Sequence, residues 1–276
     1  MSMSSRQVFD IHPVPHDPLF DVVRIDRFER SAICALSCGR CAAVLVDDFL
    51  AEETCHEVAS ALQEMPFVRY NPARVHPEVF RCGVGVSDYR VDGTLAPRYW
   101  EAVTEWLSIW QGLKLSYDPI DLCRERLAGH WPGGVGSAEV GGRELAHGVI
   151  REPNQGFLVH FDDAAREFAP GFPDHPLVAQ FAFNLYLTLP KSGGQTVIWR
   201  RRWHPADENA RLPGTYGYAE SVVEDVESLT LTPQVGQAVL FDARNYHAVR
   251  PSSGGRRLAV GFQVGLTDAG RLLTWG

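Results

Sequence analysis

The sequence has few lysines, no excess of positive charge and no long apolar run. Only two of its 26 basic residues are lysine, and 34 acidic residues give a formal net charge of −8. A general nucleic-acid binder would cluster basic side chains to neutralise phosphates, so this balance argues against one. No segment approaches the roughly 20 consecutive apolar residues of a membrane-spanning helix. With 45% hydrophobic residues, the sequence predicts a soluble globular protein with neither a nucleic-acid nor a membrane partner.

The pattern also shows neither a secretory leader nor a disulfide framework. The first residues, Met-Ser-Met-Ser-Ser-Arg, lack the apolar stretch of a secretory signal. Because a chain of 276 residues buries a full core without disulfides, the six cysteines predict free thiols in a reducing cytoplasm.

The sequence pattern is helical in the first half of the chain and strand-like in the second half. Residues 1–143 are rich in helical patterns, with a short strand at 42–46 and helices predicted from 47, over 97–113 and over 120–127. Tryptophans at helical spacing in the second of these helices predict core packing rather than a ligand site. From 144 to 266 short apolar runs alternate with turn residues, and eight strands are predicted: 144–150, 156–161, 179–189, 196–200, 226–231, 238–241, 246–249 and 257–266. This succession predicts a single domain over 1–276, mainly β, with a helical buttress beside a sandwich or barrel.

The sharpest local pattern is His160-Phe161-Asp162, at the end of a predicted strand. Residues i and i+2 of a strand point to the same face, so the imidazole and the carboxylate project together. A second histidine, His247, lies far downstream on another predicted strand. Two histidines and one carboxylate form the facial triad that leaves open positions on Fe(II) in oxygen-activating enzymes.

A basic residue, Arg257, opens a strand ten residues after His247. Alternation places Arg257, Ala259 and Gly261 on one face of this strand and apolar residues on the other. A cation followed by two small residues is suited to bind a carboxylate bidentately while leaving room for the rest of the ligand. The alternative is a surface arginine at the start of a strand.

Taken together, these motifs resemble those of the Fe(II)/2-oxoglutarate-dependent dioxygenases with a double-stranded β-helix (jelly-roll) core, in particular the prolyl-hydroxylase-like branch. The resemblance is continuous from about 148 to 264. It rests on the following motifs in this order: His160-Phe161-Asp162, Tyr186-Leu187 with Ser192-Gly193-Gly194, Gly236 with Val239-Leu240-Phe241, and His247-Ala248-Val249-Arg250-Pro251 with Arg257-Leu258-Ala259.

The resemblance implies a set of ligands and an activity. His160, Asp162 and His247 would bind Fe(II), and Arg257 would pair with the distal carboxylate of 2-oxoglutarate. The resemblance also places Tyr186 beside that carboxylate, and Asn184, on the same strand face, would contact cosubstrate or substrate or else a neighbouring loop. The implied reaction consumes O₂, releases succinate and CO₂, and hydroxylates an unactivated C–H bond. Related halogenases have a small residue in place of the carboxylate, so Asp162 favours hydroxylation, with desaturation or cyclisation as further outcomes.

Arginines are the candidates for substrate binding. Arg151 stands near the position where the prolyl-hydroxylase-like branch often has a tyrosine, which makes it a candidate for an anionic substrate group. The run from Trp199 to His204 predicts that Arg200 or Arg202 faces the mouth of the cavity, and the alternative is a solvated loop paired with nearby acids. A cationic, aromatic-flanked rim is typical of sites for small acids such as amino acid derivatives. The irregular stretch around Tyr216 is a candidate lid.

Three other functions stay open at this point. The enzyme could hydroxylate a protein- or carrier-bound residue, or the fold could be a metal-binding module without catalysis. The spacing Cys34-x3-Cys38-x2-Cys41 is also that of radical S-adenosylmethionine enzymes, whose thiolates hold a cubane cluster. Because the chain has no repeating βα units, small buried thiols on a helix are the favoured interpretation.

Overall fold

The structure is a computed structural model that describes residues 20–276. The first residues, from which the absence of a secretory signal was predicted, lie outside this range. Within it, no helix combines the length and the apolar character needed to cross a bilayer.

Five α-helices are present in the described range, and four of them precede residue 130. They are α1 (Arg30–Ser37), α2 (Glu52–Ala61), α3 (Arg98–Trp110), α4 (Pro119–Ala128) and α5 (Ala164–Glu167). Helix α4 begins where the Asp118 side chain accepts the backbone N–H groups of Ile120 and Asp121, with a proline in the first position. The predicted helices over 97–113 and 120–127 are thereby confirmed as α3 and α4. As predicted, the tryptophans of α3 pack against the hydrophobic core.

Within residues 20–276, twenty strands form one large sheet, one smaller sheet and three two-stranded sheets. In chain order they are β1 (Val22–Arg24), β2 (Ala43–Val46), β3 (Val68–Arg69), β4 (Phe80–Gly83), β5 (Arg90–Val91), β6 (Thr94–Leu95), β7 (Val135–Ser137), β8 (Glu139–Val140), β9 (Arg143–Glu144), β10 (Val149–Glu152), β11 (Phe157–His160), β12 (Leu177–Thr188), β13 (Ser192–Gly193), β14 (Thr196–Arg202), β15 (Ser228–Leu231), β16 (Ala238–Asp242), β17 (Asn245–Val249), β18 (Ser252–Ser253), β19 (Leu258–Thr267) and β20 (Leu272–Trp275).

The large sheet runs in the order β1-β2-β16-β12-β19-β10-β4-β3, with β20 and β7 added beside β19. The smaller sheet has the order β11-β17-β14-β15. Residues of both sheets line one cavity, which therefore lies between them. This arrangement is the predicted jelly-roll core with a helical buttress.

The two faces of the large sheet have different partners, because alternate residues of its central strands point in opposite directions. On β19, the side chains of Leu258, Val260 and Phe262 are buried against helices α1, α2 and α4. The ring of Phe262 stacks on that of Phe183 of β12, with centroids 4.4 Å apart. Gln263 on the opposite face of β19, and Arg257 directly before the strand, line the cavity. The predicted alternation of this strand is therefore confirmed.

One predicted strand is divided into two in the structure. The strand expected over 144–150 is divided into β9 and β10. Gly141 and Gly142 have φ of 60° and 70°, and they form a tight turn that pairs β8 with β9 as a separate hairpin. The chain then passes Gly148, where a Cβ would lie 3.0 Å from the Ile120 side chain and 3.1 Å from the Gly261 carbonyl. The ladder of the large sheet resumes only at Val149.

Candidate active site

The structure brings the three predicted ligand residues together. Strands β11 and β17 are antiparallel, and His160 and His247 are direct partners in their register. Asp162 lies two residues beyond β11, where its backbone N–H donates to the carbonyl of Ala243 at 2.8 Å. One sheet thus positions both imidazoles, and the segment that leaves it adds the carboxylate.

The side chains of this triad converge on one point. The Nε2 atom of His160 is 4.0 Å from Asp162 Oδ1, and the Nε2 atom of His247 is 3.8 Å from Asp162 Oδ2. All three potential ligand atoms lie within 4.8 Å of one another. That spacing fits three donors around one metal ion.

Hydrogen bonds at the other ring nitrogens orient the two imidazoles. His160 Nδ1 is 2.7 Å from the carbonyl of Leu158, and His247 Nδ1 is 2.9 Å from the carbonyl of Asn245. A carbonyl only accepts, so each Nδ1 carries the proton and each Nε2 presents a lone pair to the triad. Two neutral imidazoles and a carboxylate are a donor set suited to Fe(II), and the residues therefore fit this metal.

The charge states of the triad agree with this assignment. Burial, and then the neighbouring His160, lower the pKa of His247 to about 4. Burial raises the pKa of Asp162, but the two histidines, Arg151 and a hydrogen bond from Gln263 outweigh it, so the net shift is downward. At neutral pH the triad consequently offers a neutral His247 and an ionised Asp162.

Arg257 lies deep in the same cavity and is 3% exposed. Its Nε donates to the carbonyl of Gly194 at 3.0 Å, and its guanidinium carbon lies 5.1 Å from the ring centre of Tyr186. No carboxylate in residues 20–276 forms an ion pair with it. The structure thus places a buried cation, held by Gly194 and Tyr186, where an acidic ligand can reach it.

Arg151 projects from β10 over the floor of the cavity. Its Nε donates to the Tyr70 hydroxyl at 3.2 Å. Its Nη1 lies 2.8 Å from the position that a Cβ on Gly261 would take, and the Asn184 Oδ1 lies 3.4 Å from that position. Gly261 therefore leaves the space that the guanidinium occupies. Across the described part of the chain, no carboxylate forms an ion pair with Arg151, whose guanidinium is half-buried and faces the cavity.

Arg200 and Arg202 lie elsewhere, in contrast to the expectation that one of them faces the cavity. Neither residue lines it. Arg200 pairs with Glu227 at 3.0 Å, and Arg202 pairs with the buried carboxylate of Asp242 at 2.6 Å. The register of β14 shifts between Ile198 and Arg202, so alternation from the start of the strand does not predict the direction of its end.

The cavity has a volume of about 880 Å³ and extends well beyond the triad. Tyr216, in the stretch predicted as a lid, lies edge-on to the His160 ring at 5.0 Å, and its hydroxyl accepts the Leu158 N–H at 3.0 Å. Several other lining residues had no sequence signal: Tyr70, Arg90, Glu167 and Gln263. Arg90 donates to the carbonyl of Glu167 at 3.0 Å. Burial, and then Asp162, raise the pKa of Glu167 to about 7.

The cysteines do not form a cluster. Cys34 and Cys38 lie in and directly after α1, and Cys41 is buried beside β2. Among the described residues, the triad is the one group of three potential metal ligands, and all six cysteines are free thiols. The expectation of buried thiols on a helix holds only in part, because Cys34 lies on α1 but is half-buried, Cys38 is exposed, and Cys41 is buried outside the helix.

Comparison with known proteins identifies relatives of most of the chain. A family model described as the carrier-protein-independent halogenase WelO5 matches residues 149–276. The L-γ-glutamyl-L-propargylglycine hydroxylase of Streptantibioticus cattleyicolor is 35% identical over 263 residues, which covers 94% of this chain and 97% of that protein. A leucinostatins biosynthesis cluster protein S of Purpureocillium lilacinum is 30% identical over 115 residues, 41% of this chain and 46% of that protein.

Solved structures show the same fold. An N-substituted L-amino acid dioxygenase from Burkholderia ambifaria superposes with a TM-score of 0.57 at 16% identity and covers 89% of this chain and 90% of its own. Its complex with α-ketoglutarate gives the same TM-score at 17% identity and the same coverage. Together with the extended match to a hydroxylase and the His-Asp-His site, these findings show that the chain belongs to the Fe(II)/2-oxoglutarate-dependent dioxygenase superfamily and is an enzyme that uses Fe(II), 2-oxoglutarate and O₂.

Proposed function

We propose that this enzyme hydroxylates a C–H bond of an N-acylated amino acid, with a γ-glutamyl dipeptide as the preferred type of substrate. His160, Asp162 and His247 hold Fe(II), and Arg257 holds the distal carboxylate of 2-oxoglutarate with Tyr186 beside it. The observation that carries the substrate assignment is the guanidinium of Arg151, which faces the cavity next to the triad without a carboxylate partner. A substrate carboxylate supplies that partner.

Two further observations support an extended substrate. The cavity, at about 880 Å³, lies within the range of roughly 300–1,000 Å³ that is usual for pockets of drug-sized ligands. It has room for 2-oxoglutarate together with a molecule larger than a free amino acid. The relative that matches 94% of this chain acts on a γ-glutamyl dipeptide.

Hydroxylation is favoured over halogenation by the ligand set. The family model that matches the second half of the chain is described as a halogenase, and halogenases of this kind have a small residue in place of the carboxylate ligand. Here Asp162 occupies that place, with its carboxylate within 4.0 Å of both imidazoles.

The residues of the chain have different roles in the reaction. Bound Fe(II), with 2-oxoglutarate and O₂, supplies the oxidising chemistry. The carbonyl groups of Leu158 and Asn245 keep the two imidazoles oriented, and Arg257 and Arg151 fix the two acids relative to the triad. Tyr216 covers the His160 ring and, with the neighbouring Phe157, whose ring centre lies 6.4 Å from its own, excludes water from that side.

Succinate formation, measured with different candidate substrates, tests this proposal. Protein reconstituted with Fe(II) is supplied with 2-oxoglutarate and O₂, and succinate is measured with γ-glutamyl dipeptides, other N-acyl amino acids and the corresponding free amino acids. We expect γ-glutamyl dipeptides to stimulate succinate formation most and to gain one oxygen atom. Stimulation by free amino acids alone contradicts the substrate class, and stimulation only by peptidyl or carrier-bound residues favours the protein-directed alternative.

Matched arginine variants identify the group that binds the substrate. Arg151→Gln should raise the KM for the dipeptide while the KM for 2-oxoglutarate changes little. Arg27→Gln removes a cation that is 65% exposed and does not line the cavity, so it serves as the control for loss of one positive charge. An unchanged dipeptide KM in Arg151→Gln contradicts the assigned role.

We also propose a cytoplasmic location. The six free thiols support it, since a reducing compartment keeps them in that state.

A further inference from the structure

Two buried glutamines lie in a row behind Asp162. Gln263 of β19 is 8% exposed and Gln180 of β12 is 4% exposed. Neither belongs to the predicted ligand set, and both point to the cavity side of the large sheet. Burying a primary amide is unfavourable unless its donors and acceptors find partners, so the partners of these two side chains are informative.

The two amides connect Asp162 to the backbone of the next helix. Gln263 Nε2 donates to Asp162 Oδ2 at 2.8 Å, and Gln180 Nε2 donates to Gln263 Oε1 at 3.0 Å. The backbone N–H of Ala164, at the start of α5, donates to Gln180 Oε1 at 2.8 Å. We call this chain of three hydrogen bonds the glutamine relay.

The direction of every bond in the glutamine relay follows from its backbone end. A backbone N–H can only donate, so the atom of Gln180 that faces Ala164 is its carbonyl oxygen. The NH₂ group of Gln180 then faces Gln263 and binds the oxygen of that amide. Gln263 consequently presents its own NH₂ group to Asp162, which matches an ionised carboxylate and not a donor.

The register of β12 and β19 explains why the two amides meet. Gln263 pairs with Ala182, and Gln180 pairs with Gly265, so the two glutamines are diagonal neighbours on one face. Each faces a small residue on the opposite strand, which leaves the space for a long amide side chain.

The orientation of the Asp162 side chain depends on the hydrogen bond from Gln263, whereas the histidines have other supports. Each imidazole lies on a paired strand and is held by a carbonyl, whereas Asp162 lies beyond the end of β11. In the described part of the chain, Gln263 is the one side chain that donates a hydrogen bond to the Asp162 carboxylate.

We propose that Gln263, held in turn by Gln180, is a positioning residue that turns the Asp162 carboxylate toward the two histidines and thereby sets the affinity of the site for a divalent metal. The inference rests on the proposed function, because it assumes that Asp162 is a metal ligand. It goes beyond that function by assigning the geometry of this ligand to two residues outside the triad.

Metal binding without turnover tests the glutamine relay. The metal-free protein is titrated with Co(II) under anaerobic conditions, and the dissociation constant and visible absorption spectrum are recorded. In Gln263→Met, which keeps the length of the side chain but removes the donor, we expect a loss of affinity of about 10- to 100-fold, the usual range for such partners of metal ligands. In Gln180→Met, which leaves Gln263 in place but unsupported, we expect a smaller loss and a changed Co(II) spectrum.

Gln237→Met is the matched control. Gln237 is also fully buried and donates from Nε2 to a carboxylate, that of Asp47 at 2.6 Å, but it lies outside the cavity. The variant removes an equivalent hydrogen bond, so its Co(II) affinity should equal that of the unmodified protein. The thermal unfolding midpoint of each metal-free variant reports any general loss of packing.

The outcomes separate the two proposals. If the unmodified protein binds Co(II) and Gln263→Met binds it equally well, the glutamine relay has no positioning role while the proposed metal site stands. If Gln237→Met loses as much affinity as Gln263→Met, the effect is general and the inference fails. If Asp162→Ala binds Co(II) as tightly as the unmodified protein, the metal site itself is misassigned and the proposed function fails.

Discussion

The two ends of the cavity are built in different ways. At the triad end, His160 and His247 are register partners on antiparallel strands, and each ring is held by one backbone carbonyl. We define the outer wall as Tyr70, Arg90 and Tyr216. Tyr70 directly follows β3, Arg90 lies on the two-residue strand β5, and Tyr216 lies in the long connection between β14 and β15. The difference indicates that paired strands fix the two imidazoles, whereas the outer wall consists of segments that can change without moving those strands.

The most severe disruption of the triad end is Asp162→Ala. It removes the anionic ligand and the acceptor of the Gln263 amide together, so we expect product and succinate formation to fall by at least about 100-fold. Succinate and hydroxylated product are measured after reconstitution with Fe(II). The thermal unfolding midpoint of the metal-free variant should remain close to that of the unmodified protein, and retained hydroxylation would mean that the triad is misassigned.

Arg257→Gln tests the link between the triad end and 2-oxoglutarate. Loss of a buried cation that pairs with a carboxylate costs about 2 kcal/mol or more, which corresponds to about 30-fold in affinity. We expect a KM for 2-oxoglutarate raised by at least that factor, measured through succinate formation at saturating substrate. The KM for the dipeptide should change far less, and an unchanged 2-oxoglutarate KM would contradict the assigned role.

Gly261→Ala tests the position of Arg151 at the floor of the cavity without changing a residue of the metal site. A Cβ at this position would lie 2.8 Å from the Arg151 Nη1, which is the movable end of a long side chain. The guanidinium should therefore shift at little cost to stability, and the dipeptide KM should rise about tenfold, equivalent to the loss of one charge-assisted hydrogen bond. Steady-state kinetics with each substrate varied in turn measure this. A rise in the 2-oxoglutarate KM alone would place Arg151 at the cosubstrate instead.

Tyr216→Phe is the mildest change and concerns the outer wall. It removes the oxygen that accepts the Leu158 N–H, so the free energy of unfolding should fall by about 1 kcal/mol. The ring stays in contact with His160, and the affinity for Co(II) should not change. Denaturant unfolding and Co(II) titration check the two statements, and a weakened metal site would show that the outer wall also supports the triad.

The His-x-Asp pair and the succession of short strands could be predicted from short-range periodicity, whereas the full ligand set and the jelly-roll core were expected from the resemblance to a known family. The His-x-Asp spacing of His160 and Asp162 places two ligands on one side, and Arg257 begins a strand whose alternation is visible in sequence. A helix was also predicted over 120–127, and the structure has it as α4 with an Asp118 cap and Pro119 in its first turn.

Other features depend on contacts that periodicity does not report. Arg200 and Arg202 were expected near the cavity, but a register shift in β14 and the carboxylates of Glu227 and Asp242 place them elsewhere. Arg151 was expected to bind an anion, and the structure adds the reason for its position, since Gly261 leaves room for it.

The amino-acid sequence by itself therefore determined the His-x-Asp pair, the strands around it and the arginine at the start of a later strand, because residue type and a period of two express these locally. Only the tertiary structure decided which arginines reach the cavity. It also decided that Gln263 contacts Asp162 and that Gln180 contacts Gln263. The two glutamines are 83 residues apart in the chain. They meet because the pairing of β12 with β19 has one particular register, and that register results from the packing of the whole sheet.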